Sequence, residues 1–271
     1  LKHLVQIEIL EYLRKKDKPF EYIDTHAGAG AYRLDSSMAD KNREYQNGIG
    51  HFLTNKSQVP GTERLVGLVQ NCDQKFGSGD RSLYPGSPLI AGELLRPQDK
   101  AWLYELHSTD FPLLEKQFAK NRKVYVRQED GFKGLLGLLP CASRRALVLI
   151  DPPYEIKDDY SKVVTVVEKA HRKMNNAIFA VWYPVVERAR IDLIKEQFTH
   201  SGIRSIVQFE LGITADTDEK GMTSAGMIVI NPPWTLFKHM QEVLPKLAEV
   251  VSQDGKLCLL YTSPSPRDLS T

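Results

Sequence analysis

Hydrophobic and polar positions along the chain follow two different periods. Near the N-terminus apolar side chains recur every three or four positions, which predicts an amphipathic helix over 3–16 that ends in a basic turn. Farther along, short apolar runs bounded by turn residues predict strands. These runs are Phe20–Ile23, Trp102–Leu106, Val124–Val126, Ala146–Ile150, Ile178–Trp182, Ile206–Leu211 and Met227–Ile230.

Helical spacing returns between most of these runs. It predicts helices over 111–118, 132–139, 161–174, 187–200 and 235–252. Strands that alternate with helices require parallel crossovers and a sheet covered on both faces. The last two strands leave no room for a helix between them, so we expect them to pair antiparallel. The predicted class is therefore α/β, with the layout of a Rossmann-like class I methyltransferase: a mostly parallel seven-stranded sheet with an antiparallel edge strand.

Two segments fall outside this alternation. Between residues 41 and 85 the apolar pattern weakens and glycines and prolines interrupt it, so we predict a small inserted helical subdomain there. The Rossmann-like domain would then consist of residues 1–40 and 86–255. Residues 256–271 are predicted to be a tail, either native or left by cloning, because the closing stretch has no apolar face.

Composition places the chain among ordinary soluble proteins. Its 271 residues are 42% hydrophobic and 26% charged, and no stretch approaches the length of a membrane-spanning apolar run. The N-terminus lacks the apolar core of a signal peptide, so we expect a cytoplasmic protein. We also expect it to be a monomer. Cys72, Cys141 and Cys258 lie far apart and the histidines show no ligand spacing, so we expect neither a disulfide framework nor a metal site.

The net charge does not identify the binding partner of the protein. A formal net charge of +2 neither requires nor forbids nucleic acid, so any phosphate-binding surface has to be a local patch. Each basic residue alone is more often part of a solvated helix end than of a binding site. The candidates are Arg14, Lys15, Lys16, Lys18, Arg43, Arg144 and Arg145.

Asp151-Pro152-Pro153-Tyr154, directly behind the apolar run 146–150, carries the sharpest chemical signal. An enzyme that alkylates the amino group of adenine has to accept hydrogen bonds from its two N–H groups. Asp151 and the carbonyl of Pro152 can accept them, and the two prolines hold the backbone rigid. The ring of Tyr154 can stack on the base. The same residues would also form an ordinary turn that closes a strand.

Glycine or acid follows three other predicted strands, at the edge where α/β sheets bind ligands. Gly28 and Gly30 follow the first strand, where a side chain would block a ligand. Glu105 lies near the end of the next strand and can accept both hydroxyls of a ribose. Asp130 and Gly131 follow the third, where a carboxylate can meet an adenine amine. The pattern GxGxxG is not completed after Gly30, so S-adenosylmethionine, which has no phosphates, fits better than a nicotinamide dinucleotide.

Asn231-Pro232-Pro233-Trp234 has the same form as the Asp151 motif and follows the last predicted strand. That strand lies away from the switch point of the sheet, where ligands bind. We therefore interpret the second copy as a structural turn.

With these residues in view, the chain resembles the RlmJ family of ribosomal large-subunit RNA adenine-N6 methyltransferases, once described as proteins of external DNA catabolism. The resemblance runs from Leu1 to about residue 252. The blocks that carry it are residues 24–30, 84–88, 105–107, 150–154, 182–185 and 226–234.

The resemblance implies S-adenosylmethionine as cofactor and N6 of an adenosine in large-subunit (23S) ribosomal RNA as the methyl acceptor. It also implies RNA free of most ribosomal proteins and a target base that is unpaired or swung out. Asp151 is implied to be the catalytic acceptor. The implied cofactor contacts are Lys2, His3, His26, Ser87, Glu105, Asp130, Gly131 and Asp151.

Other functions stay open on the sequence. A DNA adenine-N6 methyltransferase would use the same device, because recognition of the amino edge does not distinguish the sugars. A non-catalytic DNA-binding protein linked to use of external DNA would agree with the former description of the family. A nicotinamide-dependent dehydrogenase is disfavoured by the incomplete glycine pattern.

Overall fold

The computed structural model describes residues 1–34, 59–77, 83–154, 157–212, 221–251 and 259–262, which form ten strands and eight helices. In chain order these are α1 (Lys2–Arg14), β1 (Glu21–Asp24), β2 (Ala31–Arg33), α2 (Glu63–Phe76), β3 (Leu83–Pro85), α3 (Ser87–Leu94), β4 (Lys100–Tyr104), α4 (Asp110–Phe118), β5 (Val124–Arg127), α5 (Gly131–Leu138), β6 (Ala146–Ile150), α6 (Lys157–Lys173), β7 (Ile178–Val185), α7 (Arg188–His200), β8 (Ile206–Gly212), β9 (Ser224–Ile230), α8 (Leu236–Val251) and β10 (Leu259–Thr262).

The central strand β6 shows why the sheet is buried on both faces. All five of its residues are buried, and successive side chains of a strand point to opposite faces. Leu147 and Leu149 therefore join the apolar cluster on one face, while Val148 and Ile150 join the cluster on the other. A continuous apolar run of this kind is typical of a strand covered by helices on both sides.

The strands of the main sheet lie in the order β10-β8-β9-β7-β6-β1-β4-β5. Strands β5, β4, β1, β6 and β7 pair in parallel with their neighbours. Strand β9 runs antiparallel between β7 and β8, and β10 is antiparallel to β8 at the outer edge. The predicted class, a mostly parallel Rossmann-like methyltransferase sheet with antiparallel pairing at its end, is confirmed. Strand β10 lies within the segment 256–271 that we predicted to be a tail.

The helices divide between the two faces. Helices α1, α2, α3, α4 and α8 contribute to one apolar cluster, and α5, α6 and α7 contribute to the other. The order of the strands reverses at β1, because β4 and β5 lie on one side of it and β6 and β7 on the other. The carboxyl ends of these strands meet at this switch point, which is the usual ligand-binding position of such a sheet.

Besides β10, three elements were missed by the sequence pattern. Strands β2 and β3 have three residues each and pair only with one another in the described part of the chain, so their alternation is too short to detect. Helix α3 is buried on most sides and therefore lacks a polar face. Strand β4 ends at Tyr104 rather than Leu106, and Leu106 is an exposed loop residue.

The predicted inserted subdomain falls largely outside the described residues. Of residues 41–85 the structure describes 59–77 and 83–85, and α2 packs on α1 and α3. The division into two domains stays a prediction. Cys72 and Cys141 are buried free thiols, whereas Cys258 and Arg43 lie outside the described residues. No helix within the described ranges is both long and apolar enough to cross a membrane.

Candidate active site

A pocket of about 820 Å³ opens at the carboxyl ends of β1, β4, β5 and β6. Strands that end at one edge of a parallel sheet bring residues from distant parts of the chain together there. The residues predicted from the sequence that line this pocket are His26, Gly28, Glu105, Asp130, Gly131, Asp151, Pro152 and Pro153.

Glu105 holds the loops after β1 and β4 together. Its Oε2 accepts the backbone N–H of Gly28 at 2.7 Å, and its Oε1 accepts that of His107 at 2.7 Å. Gly28 has a φ of +63°, a conformation that disfavours other residues, and a Cβ there would press against the hydroxyl of Tyr32. Each oxygen of Glu105 keeps a lone pair for a ligand in the pocket. Gly30 lies behind this loop, where its carbonyl accepts the N–H of Gly86.

Asp130 and Gly131 begin helix α5 beside the same loop. Oδ1 of Asp130 accepts the N–H groups of Phe132 at 2.8 Å and Lys133 at 3.2 Å, so this carboxylate caps the helix. A Cβ on Gly131 would overlap the carbonyl of Thr25. The start of α5 therefore lies directly against the loop after β1. A side chain at position 131 would push the helix and this loop apart.

Asp151 at the end of β6 forms an ion pair with Lys2, the first residue of α1. The side chains are 17% and 26% exposed, respectively. Burial acts most strongly on Lys2 and lowers its pKa, but the charge and hydrogen bond of Asp151 raise the pKa above the ordinary 10.5. Lys2 is therefore a cation at neutral pH. Its Nζ also lies 5.7 Å from the ring centre of Trp182.

His3 and Ser87 lie beside Lys2 and Asp151. Nδ1 of His3 is 2.7 Å from the hydroxyl of Tyr84, whereas its buried Nε2 has no hydrogen-bond partner among the described residues. Burial, followed by the charge of Lys2, holds the pKa of His3 well below 6.5. The hydroxyl of Ser87 donates to Oδ2 of Asp24 at 2.7 Å. Neutral His3 therefore presents one free ring nitrogen.

Asp24 is a functional candidate that the sequence reasoning did not single out. It is fully buried, and its Oδ2 accepts hydrogen bonds from Tyr22 at 2.6 Å and from Ser87. Burial has the largest effect and raises the pKa of this carboxyl, although both hydrogen bonds oppose the rise. Gln6 donates to the hydroxyl of Tyr22 and to the carbonyl of Ser87, so the network ties α1 and α3 to β1. The sequence feature that could have identified Asp24 is a carboxylate at the end of an apolar strand.

His26 is a neutral side chain at the centre of the pocket. Burial lowers its pKa to about 4, and the charges of Asp151 and Asp130 only partly oppose that shift. Its Nδ1 lies 2.8 Å from the hydroxyl of Thr25, and the edge of its ring packs against Phe132.

Tyr154 lies behind the pocket wall. Its φ is +54°, its hydroxyl donates to the carbonyl of Trp182 at 2.5 Å, and its ring packs on Tyr160 with 4.5 Å between ring centres. It is 7% exposed. Trp182 also lines the pocket, although it belongs to none of the acid or glycine motifs predicted at the strand ends. The Tyr, Phe and Trp side chains that line the pocket are Tyr32, Phe132 and Trp182, and of these Trp182 lies on β7, the strand next to β6.

The second Pro-Pro motif lies at the opposite edge of the sheet. Strand β9 is antiparallel, so Asn231 at its end lies beside the starts of β7 and β8. Its side-chain amide donates to the carbonyls of Asn175 and Ala177 at 2.8 and 2.7 Å. This placement supports its interpretation as a structural turn.

Comparison with known proteins agrees with this geometry. Residues 17–261 match the family described as Ribosomal RNA large subunit methyltransferase D, RlmJ. The chain belongs to this family. Ribosomal RNA large subunit methyltransferase J of Haemophilus influenzae is 44% identical over 255 residues, covering 94% of this chain and 90% of the relative. The protein of that name from Escherichia coli is 47% identical over 247 residues, covering 91% and 87%.

A solved structure shares the fold of this family member. The crystal structure of a Legionella pneumophila protein has a TM-score of 0.88 and 32% sequence identity to this chain. The similarity covers 97% of this chain and 95% of that one. The family assignment made from the motifs is thus confirmed.

The pocket also contains residues that the motifs did not predict. Most of them follow strands or begin helices, where the sequence pattern carries no periodic signal. They are Thr25, Tyr32, Leu106, His107, Ser108, Asp110, Phe132, Asp159, Lys162 and Trp182.

Proposed function

We propose that this protein transfers a methyl group from S-adenosylmethionine to N6 of an adenosine in large-subunit (23S) ribosomal RNA. The observation that carries the proposal is the position of Asp151 and the rigid Pro152-Pro153 pair at the switch point, inside a pocket that Glu105 and Asp130 also line. The choice of ribosomal RNA rests on the names of the relatives, and such a substrate places the protein in the cytoplasm.

The pocket has the chemistry that the cofactor requires. Carboxylates suit its sulfonium and amino charges, Glu105 keeps lone pairs for the ribose hydroxyls, and Asp130 can meet the adenine amine. His3 is not among the residues that line the pocket, but its buried Nε2 has no partner among the described residues, and we propose that it offers a further hydrogen bond. Bound S-adenosylmethionine supplies an electrophilic methyl group. The residues proposed to hold it are Lys2, His3, His26, Gly28, Gly30, Ser87, Glu105, Asp130, Gly131 and Asp151.

Asp151 and the carbonyl of Pro152 are proposed to hold the amino group of the target base. The ion pair with Lys2 orients the Asp151 carboxylate, whose oxygens can accept an N–H group. Alignment of the amine with the methyl group can supply roughly 7–11 kcal/mol of the barrier reduction. Asp151, or water, then takes the proton that the amine loses.

The target base also needs an aromatic surface. Trp182 lines the pocket, so we assign the stacking surface to it, and Tyr154 holds the same segment through its hydrogen bond to the Trp182 carbonyl. This assignment replaces direct stacking by Tyr154.

Transfer of labelled methyl groups to protein-free large-subunit ribosomal RNA tests the proposal. We expect N6-methyladenosine, identified by mass spectrometry of nucleosides, and we expect Asp151→Asn to lower the rate at least a hundredfold because a hydrogen-bond acceptor and base is lost. Asp192→Asn, an exposed acid on α7, is the matched control and should leave the rate unchanged.

Two further measurements separate the rival functions. Preferred labelling of duplex DNA would identify a DNA methyltransferase. Failure to bind S-adenosylmethionine in calorimetry would favour a non-catalytic nucleic-acid-binding protein.

A further inference from the structure

Charged residues are segregated between the two edges of the main sheet. Seven described segments lie where the parallel strands begin, and we call them the basic edge: 14–20, 95–100, 119–123, 140–145, 172–177, 201–205 and 231–235. They contain fourteen Lys and Arg residues and two Asp residues. One of those acids, Asp99, is buried in an ion pair with Arg96.

The active-site edge has the opposite charge. Its described segments are 24–30, 105–109, 128–130, 151–154, 186–187 and 221–223, which contain six Asp and Glu residues and no Lys or Arg. These acids suit a cationic cofactor, although Lys2 and Lys162 also lie at this edge. Since phosphate contacts provide much of the affinity for nucleic acid, exposed cations on a second surface would add to that affinity.

Helix ends account for part of the basic edge. The last carbonyls of a helix attract cations, and Arg96 and Arg145 donate to the carbonyls at and beyond the end of α1. Lys16 and Lys18 are different. Both are exposed and have no ion-pair partner among the described residues, so their charges remain available to a partner.

A second pocket, of about 400 Å³, lies at this edge. Lys16, Lys18 and Arg145 line it together with the rigid turn at Asn231. The turn ends in Trp234, which is 82% exposed. Trp234 directly follows Pro233, the last residue of that turn in the pocket wall. An exposed aromatic ring and exposed cations at one edge of a protein are the combination that single-stranded nucleic acid uses, because bases stack on the ring while phosphates contact the charges.

We propose that the basic edge is a second RNA-binding surface, on which an unpaired nucleotide stacks on Trp234 and its flanking phosphates contact Lys16 and Lys18. The identity of the partner as the substrate RNA rests on the proposed function. A strand such as β6 spans about 16 Å, so the surface binds RNA remote from the target adenosine. It contributes affinity and leaves the chemistry at Asp151 unaffected.

Binding of protein-free large-subunit ribosomal RNA at several salt concentrations tests the proposal. We expect Trp234→Ala to weaken binding by about fivefold to 150-fold, and Trp234→Phe to retain most of it because the ring is kept. The double variant Lys16→Gln/Lys18→Gln should lower the slope of log affinity against log salt by about 1.5, as expected for two lost phosphate contacts.

The matched control removes the same number of positive charges from a different part of the surface. Lys116→Gln/Lys169→Gln removes two exposed lysines from α4 and α6 and should change the slope by less than about 0.3. Equal effects of the two double variants would overturn the proposal, because they would report net charge alone. Unchanged affinity of Trp234→Ala would also overturn it. If duplex DNA displaced the bound RNA more effectively than unlabelled RNA does, the surface would belong to another nucleic acid, and the proposal would be contradicted.

The outcome can be separated from that of the proposed function. The basic-edge variants should bind S-adenosylmethionine as the unaltered protein does and reach the same transfer rate at saturating RNA, with KM raised. If the unaltered protein transferred no methyl group to any RNA, the binding measurements would still show whether the basic edge binds RNA. If transfer were normal and RNA affinity insensitive to these variants, the basic edge alone would be disproved.

Discussion

Trp182 and Tyr154 occupy different positions at the candidate active site, and we propose that Trp182 presents the aromatic surface to the target base. Trp182 faces the pocket, whereas Tyr154 is buried and bonded to the Trp182 carbonyl. The positive φ of Tyr154 turns the chain after the two prolines, so the tyrosine of this motif supports the wall of the site.

Substitution of the two aromatic residues tests this division. We expect Trp182→Ala to lower kcat/KM for methyl transfer by about fivefold to 150-fold, the equivalent of roughly 1–3 kcal/mol of stacking, and Trp182→Phe to retain most of it. Tyr154→Phe removes one hydrogen bond, so it should cost about 1 kcal/mol of unfolding free energy and change transfer less than fivefold. A large loss in Tyr154→Ala with little change in Trp182→Ala would return the stacking role to Tyr154.

At the scale of elements, helix α5 is positioned by close contacts of its glycines. A Cβ on Gly134 would overlap the ring of Tyr104 in β4, whereas a Cβ on Gly137 would meet no atom of the described residues within 4 Å. The two positions lie on the same helix but differ in what surrounds them. A substitution at Gly134 therefore tests helix–sheet packing, and a substitution at Gly137 tests helix propensity.

Alanine at these two positions should have opposite effects. Gly137→Ala is expected to stabilise the protein by about 0.5–1 kcal/mol, because Ala has the higher helix propensity. Gly134→Ala should destabilise it by about 1–3 kcal/mol through overpacking against Tyr104. Urea denaturation measures both. Stabilisation by Gly134→Ala would show that α5 can move away from β4 without cost.

At the scale of the whole molecule, stability depends on buried histidines. The pKa of His26 is about 4 in the folded protein, because of burial, against about 6.5 in the unfolded chain. The unfolded state therefore binds a proton first as the pH falls, so His26 contributes stability above pH 6.5 that is lost between about pH 6.5 and 4. His3, whose pKa burial also lowers, acts in the same direction.

Replacement of His26 isolates its share of this dependence. Asp151, Asp130, Lys162 and Asp159 face His26, and their charges remain in His26→Asn. Between pH 6.5 and 4.5 the unfolding free energy of this variant should fall less steeply than that of the unaltered protein, by about 1.4 kcal/mol per pH unit or one proton. Equal slopes in urea denaturation at several pH values would show that folding does not lower the pKa of His26.

Local spacing in the sequence was enough to predict most of the elements and the chemistry at the strand ends. The short apolar run Ala146–Ile150, bounded by turn residues, is typical of a strand buried on both faces, and its position put Asp151 at a strand end. Gly28, Glu105 and Asp130 could be placed in the pocket for the same reason. Local spacing carries this information, because the period of a helix or strand depends on neighbouring residues.

The edge of the sheet that each strand end reaches depends on how the strands pair in the folded chain. Asp151 and Asn231 begin nearly identical motifs, but β6 is parallel to its neighbours and β9 is antiparallel, so the motifs lie at opposite edges. The direction of a strand in a sheet depends on pairing between distant segments, which local spacing does not encode. For the same reason the burial of Tyr154, the network around Asp24 and the separation of acidic from basic edges emerged only from the assembled fold.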